Sequence, residues 1–421
     1  MYFFLPKLNS SLIKRSLKLN LTLIIVRFIY LFMFYINMIY IERELNKIFE
    51  KLASIYKIIA VVGPRQAGKT TFLKEKSKNI NANYIFFDDP DSRELFEKDV
   101  KKFEIQYLNK KISVLDEVQY CKDAGPKLKY LADSNYNMWL TSSSEVILSK
   151  DILSYLVGRV TILKLYPFSL EEYLRSQSHK ELTSTVLKRS IYFHCIYGGY
   201  PKVVTTDDVE LKKIILKDLT QTMVLKDVAR NFNIEDISSL EKFVKYLSYN
   251  YSNLISYNDI TSNLGLSFQT LKKYLDALQK SYLIKVIQPF YKNKLKEISK
   301  QPKLYFYDTG LRNSIANEED LTGELFENYV FTELTKKGFE LKYWRTKTKL
   351  EVDFIIEKEQ PVPVEVKLKS QSRPTKGLKR FIDLHKVKKA FIVNYEGVNN
   401  KIKYNDCEII NCDIRELIKK I

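Results

Sequence analysis

KIIAVVGPRQAGKTT, residues 57–71, decides how the first third of this 421-residue chain folds. Lys57–Val62 is a short apolar run rich in β-branched residues, the pattern of a strand buried on both faces. It runs straight into Gly63-Pro64-Arg65-Gln66-Ala67-Gly68-Lys69-Thr70 and then Thr71, which is G-x-x-x-x-G-K-[ST] in its required setting of strand, loop and helix. The glycines let backbone N–H groups wrap an anion, and the following helix points its positive end at the same place. The stretch therefore predicts a phosphate cradle on Gly63–Thr71. Lys69 reaches the β and γ phosphates there, and the Thr70 hydroxyl meets Mg²⁺.

Downstream runs extend this reading. YIFF (84–87) is a second apolar strand and ends in Asp88-Asp89. ISVLDEVQ (112–119) is a third, delivering Asp116 and Glu117 to the phosphate end. Asp116 is placed to support Mg²⁺ and Glu117 to polarise an attacking water, so the pair points to hydrolysis and not to nucleotide binding alone. Met138–Ser144 is a fourth strand ending in hydroxyls, with Thr141, Ser142 and Ser143 as candidates for sensing the γ-phosphate. A plain strand-end turn is the alternative for that cluster.

GPRQAGKTT, LDEVQ, LTSSS, LVGRVTILKLYPFSLEEY and GGYP (198–201) together resemble a family of AAA-type P-loop ATPases of archaea and bacteria. The likeness runs from about residue 40 to about residue 395. It implies ATP and Mg²⁺ as cofactors, ATP hydrolysis, and a C-terminal domain after the ATPase. This chain has Ser142 where family members usually have Gly, which puts the sensor geometry in question. Arg159 falls where the family's Gly-Arg pair falls, so a finger on its own or a neighbour's γ-phosphate is one reading, and a neighbour implies a homo-oligomer. A structural salt bridge is the other.

Composition bounds the rest. Lys and Arg number 69 against 50 Asp and Glu, a net charge of +19. That balance favours a polyanionic partner, nucleic acid first and an anionic membrane surface second. Solubility, or codon bias toward Lys, Ile, Asn and Tyr, explains it equally. Five basic residues and no acids lie in residues 1–37, so the excess belongs to the body of the protein. Leu21–Tyr40 is long enough to span a bilayer, yet Arg27 interrupts it at about 2.5–3.5 kcal/mol on insertion scales. Residues 1–37 are thus a membrane anchor or translated upstream sequence before a start at Met38, and the second reading is preferred. Four cysteines without CxxC spacing and three scattered histidines predict no zinc site and fit a reducing cytoplasm.

The boundaries expected are a P-loop domain over 38–175, a helical lid over 176–235, a winged helix over 236–295 and an α/β domain over 300–421. In the winged helix, YNDITSNLGLSFQTLKKYLDALQKSYLIKVIQPF (257–290) gives helix, turn, helix and strand. Its second helix is expected to expose Gln269, Lys272, Lys273 and Gln279 for DNA while burying Leu271, Tyr274, Leu275 and Leu278. In the last part, KLYFYDTGLR reads as strand and turn, and Gly323–Leu334 as a helix carrying Glu327. LEVDFII places Asp353 inside an apolar run, where an unpaired carboxylate is costly. VPVEVKLK puts Glu365 and Lys367 on one face by two-residue alternation. Helix, strand and hairpin with these polar residues resemble the restriction-endonuclease-like fold with its D…E-x-K core. The resemblance implies Glu327, Asp353 and Glu365 as metal ligands and Lys367 as the catalytic cation. An inactive relative that only holds nucleic acid or a partner is the alternative.

Overall fold

The computed structural model describes residues 40–143, 152–177, 181–291, 297 and 300–421. The possible span at 21–40 lies outside the described residues, except for Tyr40. Among the described residues no helix is long and apolar enough to cross a membrane.

Five parallel strands form the first sheet: β1 (Ile58–Val62), β2 (Ala82–Phe86), β3 (Ile112–Asp116), β4 (Asn137–Ser142) and β5 (Val160–Lys164), in the order β2-β3-β4-β1-β5. All five residues of β1 are buried. Ile58, Ala60 and Val62 join a core with Leu115, Leu128 and Leu140, while Ile59 and Val61 face Phe49, Phe72 and Trp139 on the other side. A strand covered on both faces needs this continuous apolar run. Because the strands are parallel, their C-terminal ends share one edge. The register pairs Val62 with Ser142 across β1 and β4, and β4 lies between β1 and the acid-bearing β3. The phosphate loop, Asp116 and the hydroxyl cluster therefore meet at that edge.

The second sheet has six strands: β8 (Leu341–Arg345), β9 (Glu351–Ile356), β10 (Val362–Lys367), β11 (Lys389–Asn394), β12 (Asn400–Tyr404) and β13 (Cys407–Cys412), in the order β12-β13-β11-β10-β9-β8. β10, β11 and β13 run parallel, and the other pairings are antiparallel. A separate antiparallel pair joins β6 (Ile284–Ile287) to β7 (Lys303–Phe306).

The helices Tyr257–Leu264 and Phe268–Lys280 form where the sequence places them. Each is capped by a serine, Ser256 and Ser267, and Gly265 turns between them at φ +65°. Leu271, Tyr274, Leu275 and Leu278 are buried, and Gln269, Lys272 and Lys273 are exposed. Gln279 departs from expectation: its side chain accepts the Val286 N–H at 3.3 Å and holds the helix to β6. A second departure is that YDTGLR is no turn. Asp308 caps a helix, Thr309–Ala316, instead.

Packing does not follow the boundaries drawn at 235/236 and 295/300. One continuous core runs from Leu170 through the middle helices to Leu417. β7, assigned by sequence to the last domain, pairs with β6 of the middle one.

Candidate functional site

The phosphate loop is built by close approach. A side chain at Gly63 would meet the Leu165 carbonyl at 2.0 Å, and Gly68 sits at φ +96° directly before the helix Lys69–Ser77. Both positions need glycine. Lys69 is buried and its Nζ donates to the Gly63 and Pro64 carbonyls at 3.0 and 2.9 Å, so the ammonium lies inside the loop. Thr70 Oγ1 donates to the two Asp116 oxygens at 3.2 and 3.0 Å. Thr141 Oγ1 donates to Asp116 at 2.5 Å and accepts the Glu117 N–H at 2.8 Å. Glu117 takes φ +60°, and its carboxylate accepts from Gln119, which also donates to Ser143 Oγ at 3.1 Å.

Burial pushes the Asp116 carboxyl up, against the hydrogen bonds from Thr141 and Thr70 that favour its charged form. A cation beside Thr70 and Asp116 would relieve that burden, so these oxygen donors fit Mg²⁺. Thr141 emerges as the hydroxyl that ties β4 to both acids. Ser142 is buried in the same strand end.

Arg159 is not at this loop. It precedes β5, and its carbonyl accepts the Ile58 N–H at the N-terminal edge of the sheet, opposite the phosphate end. Its Nε lies 2.7 Å from Asp133 Oδ1, the salt bridge that the sequence left open. A finger on its own nucleotide is excluded by strand direction.

The motifs GGYP and YFYDTGL meet each other. Gly199 N–H donates to Asp308 at 2.8 Å, a side chain at Gly198 would meet Asp308 Oδ1 at 2.1 Å, and one at Gly310 would meet the Tyr197 carbonyl at 2.2 Å. Pro201 then reaches the phosphate loop, 3.8 Å from where a side chain at Gly68 would stand.

Arg43 is a residue of this site that the sequence analysis did not single out. It is buried and donates to the Ala67 carbonyl of the loop at 2.9 Å. Its counter-ion is Glu172, 3.0 Å away and far along the chain, so nothing local marks the pair.

The second acid cluster forms, with one change. Lys367 Nζ lies 3.0 Å from Glu365 Oε1 and 4.0 Å from Asp353 Oδ2. Thr375 donates to Glu365 at 2.7 Å. Val364 and Val366 enter the core on the opposite face, as alternation requires. Asp353 is delivered by a bulge. Trp344 faces Val352 and Lys342 faces Ile355, so Tyr343 opposes both Asp353 and Phe354. Beyond Val364 the β9–β10 ladder stops, and Asp353 Oδ2 accepts the Val366 N–H at 2.8 Å in its place. Burial pushes Glu365 up while Lys367 draws it down; Lys367 itself is held up by Asp353 and Glu365 against its own burial.

Glu327 does not join this set as a ligand. It accepts from Tyr305 at 2.6 Å and from Lys303 at 3.1 Å, and Lys303 is also paired with Glu351. Burial and the Asp353 charge push Glu327 up, and Lys303 offsets them. Lys303 is 4% exposed, so the cation among these acids is supplied by β7. Among the described residues no three His, Cys, Asp or Glu side chains converge to hold a metal. The expected metal set of Glu327, Asp353 and Glu365 is thus divided here, with Glu327 held by Lys303 and Tyr305 and Glu365 by Lys367 and Thr375. A lysine opening the apolar run LYFY was the signal, the same kind that marks Asp353.

The family described as "AAA domain" matches residues 56–174. Two families described as domains of unknown function, DUF8612 and DUF4143, match residues 188–322 and 322–414. The chain is 29% identical over 323 residues to the uncharacterized protein MJ1544 of Methanocaldococcus jannaschii, covering 71% of this chain and 72% of that one. It is 27% identical over 328 residues to an uncharacterized protein of Haemophilus influenzae, covering 72% and 80%. Among solved structures, the Walker-type ATPase paby2304 of Pyrococcus abyssi superposes with a TM-score of 0.46 at 15% identity, over 66% of this chain and 96% of that one. The ADP form of Aeropyrum pernix ORC2 gives 0.34 at 12%, over 59% and 88%. Residues 56–174 thus match the AAA-domain model in sequence, and the same segment carries the five-stranded parallel sheet.

Proposed function

We propose that this chain binds ATP with Mg²⁺ on Gly63–Thr71, hydrolyses it, and couples turnover to a nucleic-acid partner. The convergence of Lys69, Thr70, Asp116 and Thr141 at one sheet edge carries the reading. In it, Lys69 exchanges two neutral carbonyls for an anionic phosphate oxygen, a stronger acceptor. Thr70 and Asp116 hold Mg²⁺, which when bound neutralises phosphate charge. Glu117, steadied by Gln119, orients the water. The net charge of +19 supports a polyanionic partner. Arg159 has a finger role only on a neighbouring copy, which would require an oligomer. Lys69→Ala should abolish binding of a fluorescent ATP analogue, and normal binding in that variant would sink the assignment.

A second reading is favoured by Lys303: a regulatory or scaffold ATPase whose C-terminal sheet holds a partner without cutting. Wild type, Lys69→Ala and Asp353→Ala should be assayed together on single-stranded, duplex and branched DNA with Mg²⁺. Cleavage lost in Asp353→Ala and kept in Lys69→Ala would establish a nuclease. Silence on all substrates, with ATP turnover unmoved by DNA, would leave the scaffold.

A further inference from the structure

Three acceptors converge on the Arg43 guanidinium. Nη1 donates to Ala67 O at 2.9 Å, Nη2 donates to Tyr166 O at 2.5 Å, and Nε lies 3.0 Å from Glu172 Oε1. The Phe168 ring covers the cation with its centroid 4.9 Å away. Glu172 is itself fixed. It accepts the Glu44 N–H at 2.7 Å and the Ser169 N–H at 3.0 Å. A planar fork donates to two carbonyls in fixed directions while its charge faces Glu172; an ammonium on a flexible stem does not hold that arrangement.

The contact with Ala67 matters because the next residue is Gly68. A trans peptide is planar, so its C=O and the next N–H point in opposite directions. Holding the Ala67 carbonyl toward Arg43 therefore fixes the Gly68 N–H on the far side. Gly68, at φ +96°, has no side chain to resist a flip of this peptide, so its orientation must be imposed from outside. We propose that Arg43 is a positioning residue of the nucleotide site, pinning the Ala67–Gly68 peptide so that the Gly68 N–H meets the β-phosphate of a bound nucleoside triphosphate. This deepens the ATP reading of Gly63–Thr71 and rests on it. The same grip ties the loop to Tyr166, just past β5, so the loop's shape is set by the segment leaving the sheet.

The test uses the full chain and a fluorescent ATP analogue with MgCl₂. Affinity, turnover at saturating ATP and melting temperature are read for Arg43→Met, Arg43→Lys and Glu172→Gln. Arg43→Met should weaken binding by about 10–100-fold, the worth of a charged hydrogen bond, with saturated turnover little changed. Arg43→Lys should not restore affinity. Glu172→Gln should lower the melting temperature yet cost less affinity, because Arg43 keeps both carbonyls. Affinity that falls only in step with melting temperature across all three variants would reduce Arg43 to a fold-stabilising ion. Unchanged affinity in Arg43→Met would overturn the proposal outright, as would lost turnover at unchanged affinity. If Arg43→Met does not fold, Arg43→Lys against Glu172→Gln decides the same question. Lys69→Ala is the separate control: normal binding there means the ATP reading failed, not the role of Arg43 within it.

Discussion

At the end of β3, Asp116 is buried among hydroxyls, those of Thr70 and Thr141. Between β7, β9 and the helix Gly323–Lys336, Glu327 and Glu351 surround an ammonium, that of Lys303. Both regions put carboxylates where burial disfavours charge. Hydroxyls soften the burden and can rotate, so the first site stays ready for a cation from solution. A lysine anchored in a strand answers part of the burden, although burial and Asp353 still hold Glu327 up at about 7, so the second arrangement carries its own cation. The difference teaches that acids in an apolar strand announce a compensating cation without saying whose it is.

The most damaging way to probe this contrast is Lys303→Met. It leaves the largely buried Glu327 without its counter-ion, while Glu351 keeps only Arg345, so stability should fall by about 3–5 kcal/mol in denaturant titration. With the ammonium gone, MnCl₂ should recover part of the lost melting temperature, while wild type should not respond. A wild-type response to Mn²⁺ that Glu327→Gln abolishes would erase the contrast, since Glu327 would then be a ligand after all.

That contrast also marks how far the sequence could be read. The phosphate loop was legible because strand, glycines, lysine and threonine are contiguous, and their chemistry follows from that order. Asp116 and Glu117 were legible for the same reason. Glu365 and Lys367 followed from alternation within one strand. Lys303 was not assigned because its partners, Glu327 and Glu351, lie on a helix and a strand further along the chain. Arg43 and Glu172 escaped similarly, being joined only by folding. Arg159 is a different case, because the salt bridge it forms was one of the two readings left open. It precedes VTILK, and in a parallel sheet the start of a strand lies opposite the phosphate edge, so its distance from the loop was readable. The packing across the expected boundaries was not legible, because turn signals mark where the chain bends, whereas the shared core from Leu170 to Leu417 depends on which apolar faces meet.

A smaller effect sharpens the first site. Glu117→Gln keeps the side chain's shape and its place beside Gln119 and the Thr141-bound backbone. Nucleotide affinity should persist while turnover falls by about 100-fold or more, the usual worth of a lost catalytic carboxylate. Steady-state phosphate release and single-turnover binding measure the two separately. Turnover at the wild-type rate would mean that the water is oriented elsewhere.

The smallest effect tests the lysine-closed device in a more exposed setting. Glu44 pairs with Lys337 and accepts from Ser169 at 2.6 Å, with its side chain 30% exposed. Burial pushes its carboxyl up, but Lys337 and Ser169 outweigh this and hold it below the usual range. A carboxyl lowered on folding stabilises above its unfolded value and loses that contribution as pH falls through the folded one. Glu44→Gln should therefore cost about 1 kcal/mol or less at pH 7, since solvent screens a partly exposed pair. Its melting temperature should converge on the wild type's as pH drops below about 4. A difference that grows on acidification would reverse the sign and show that the charged form of Glu44 is not the favoured one. A cost at pH 7 rivalling that of Lys303→Met would show that burial does not set the worth of a lysine-compensated carboxylate, and the distinction drawn between the two acid sites would lose its physical basis.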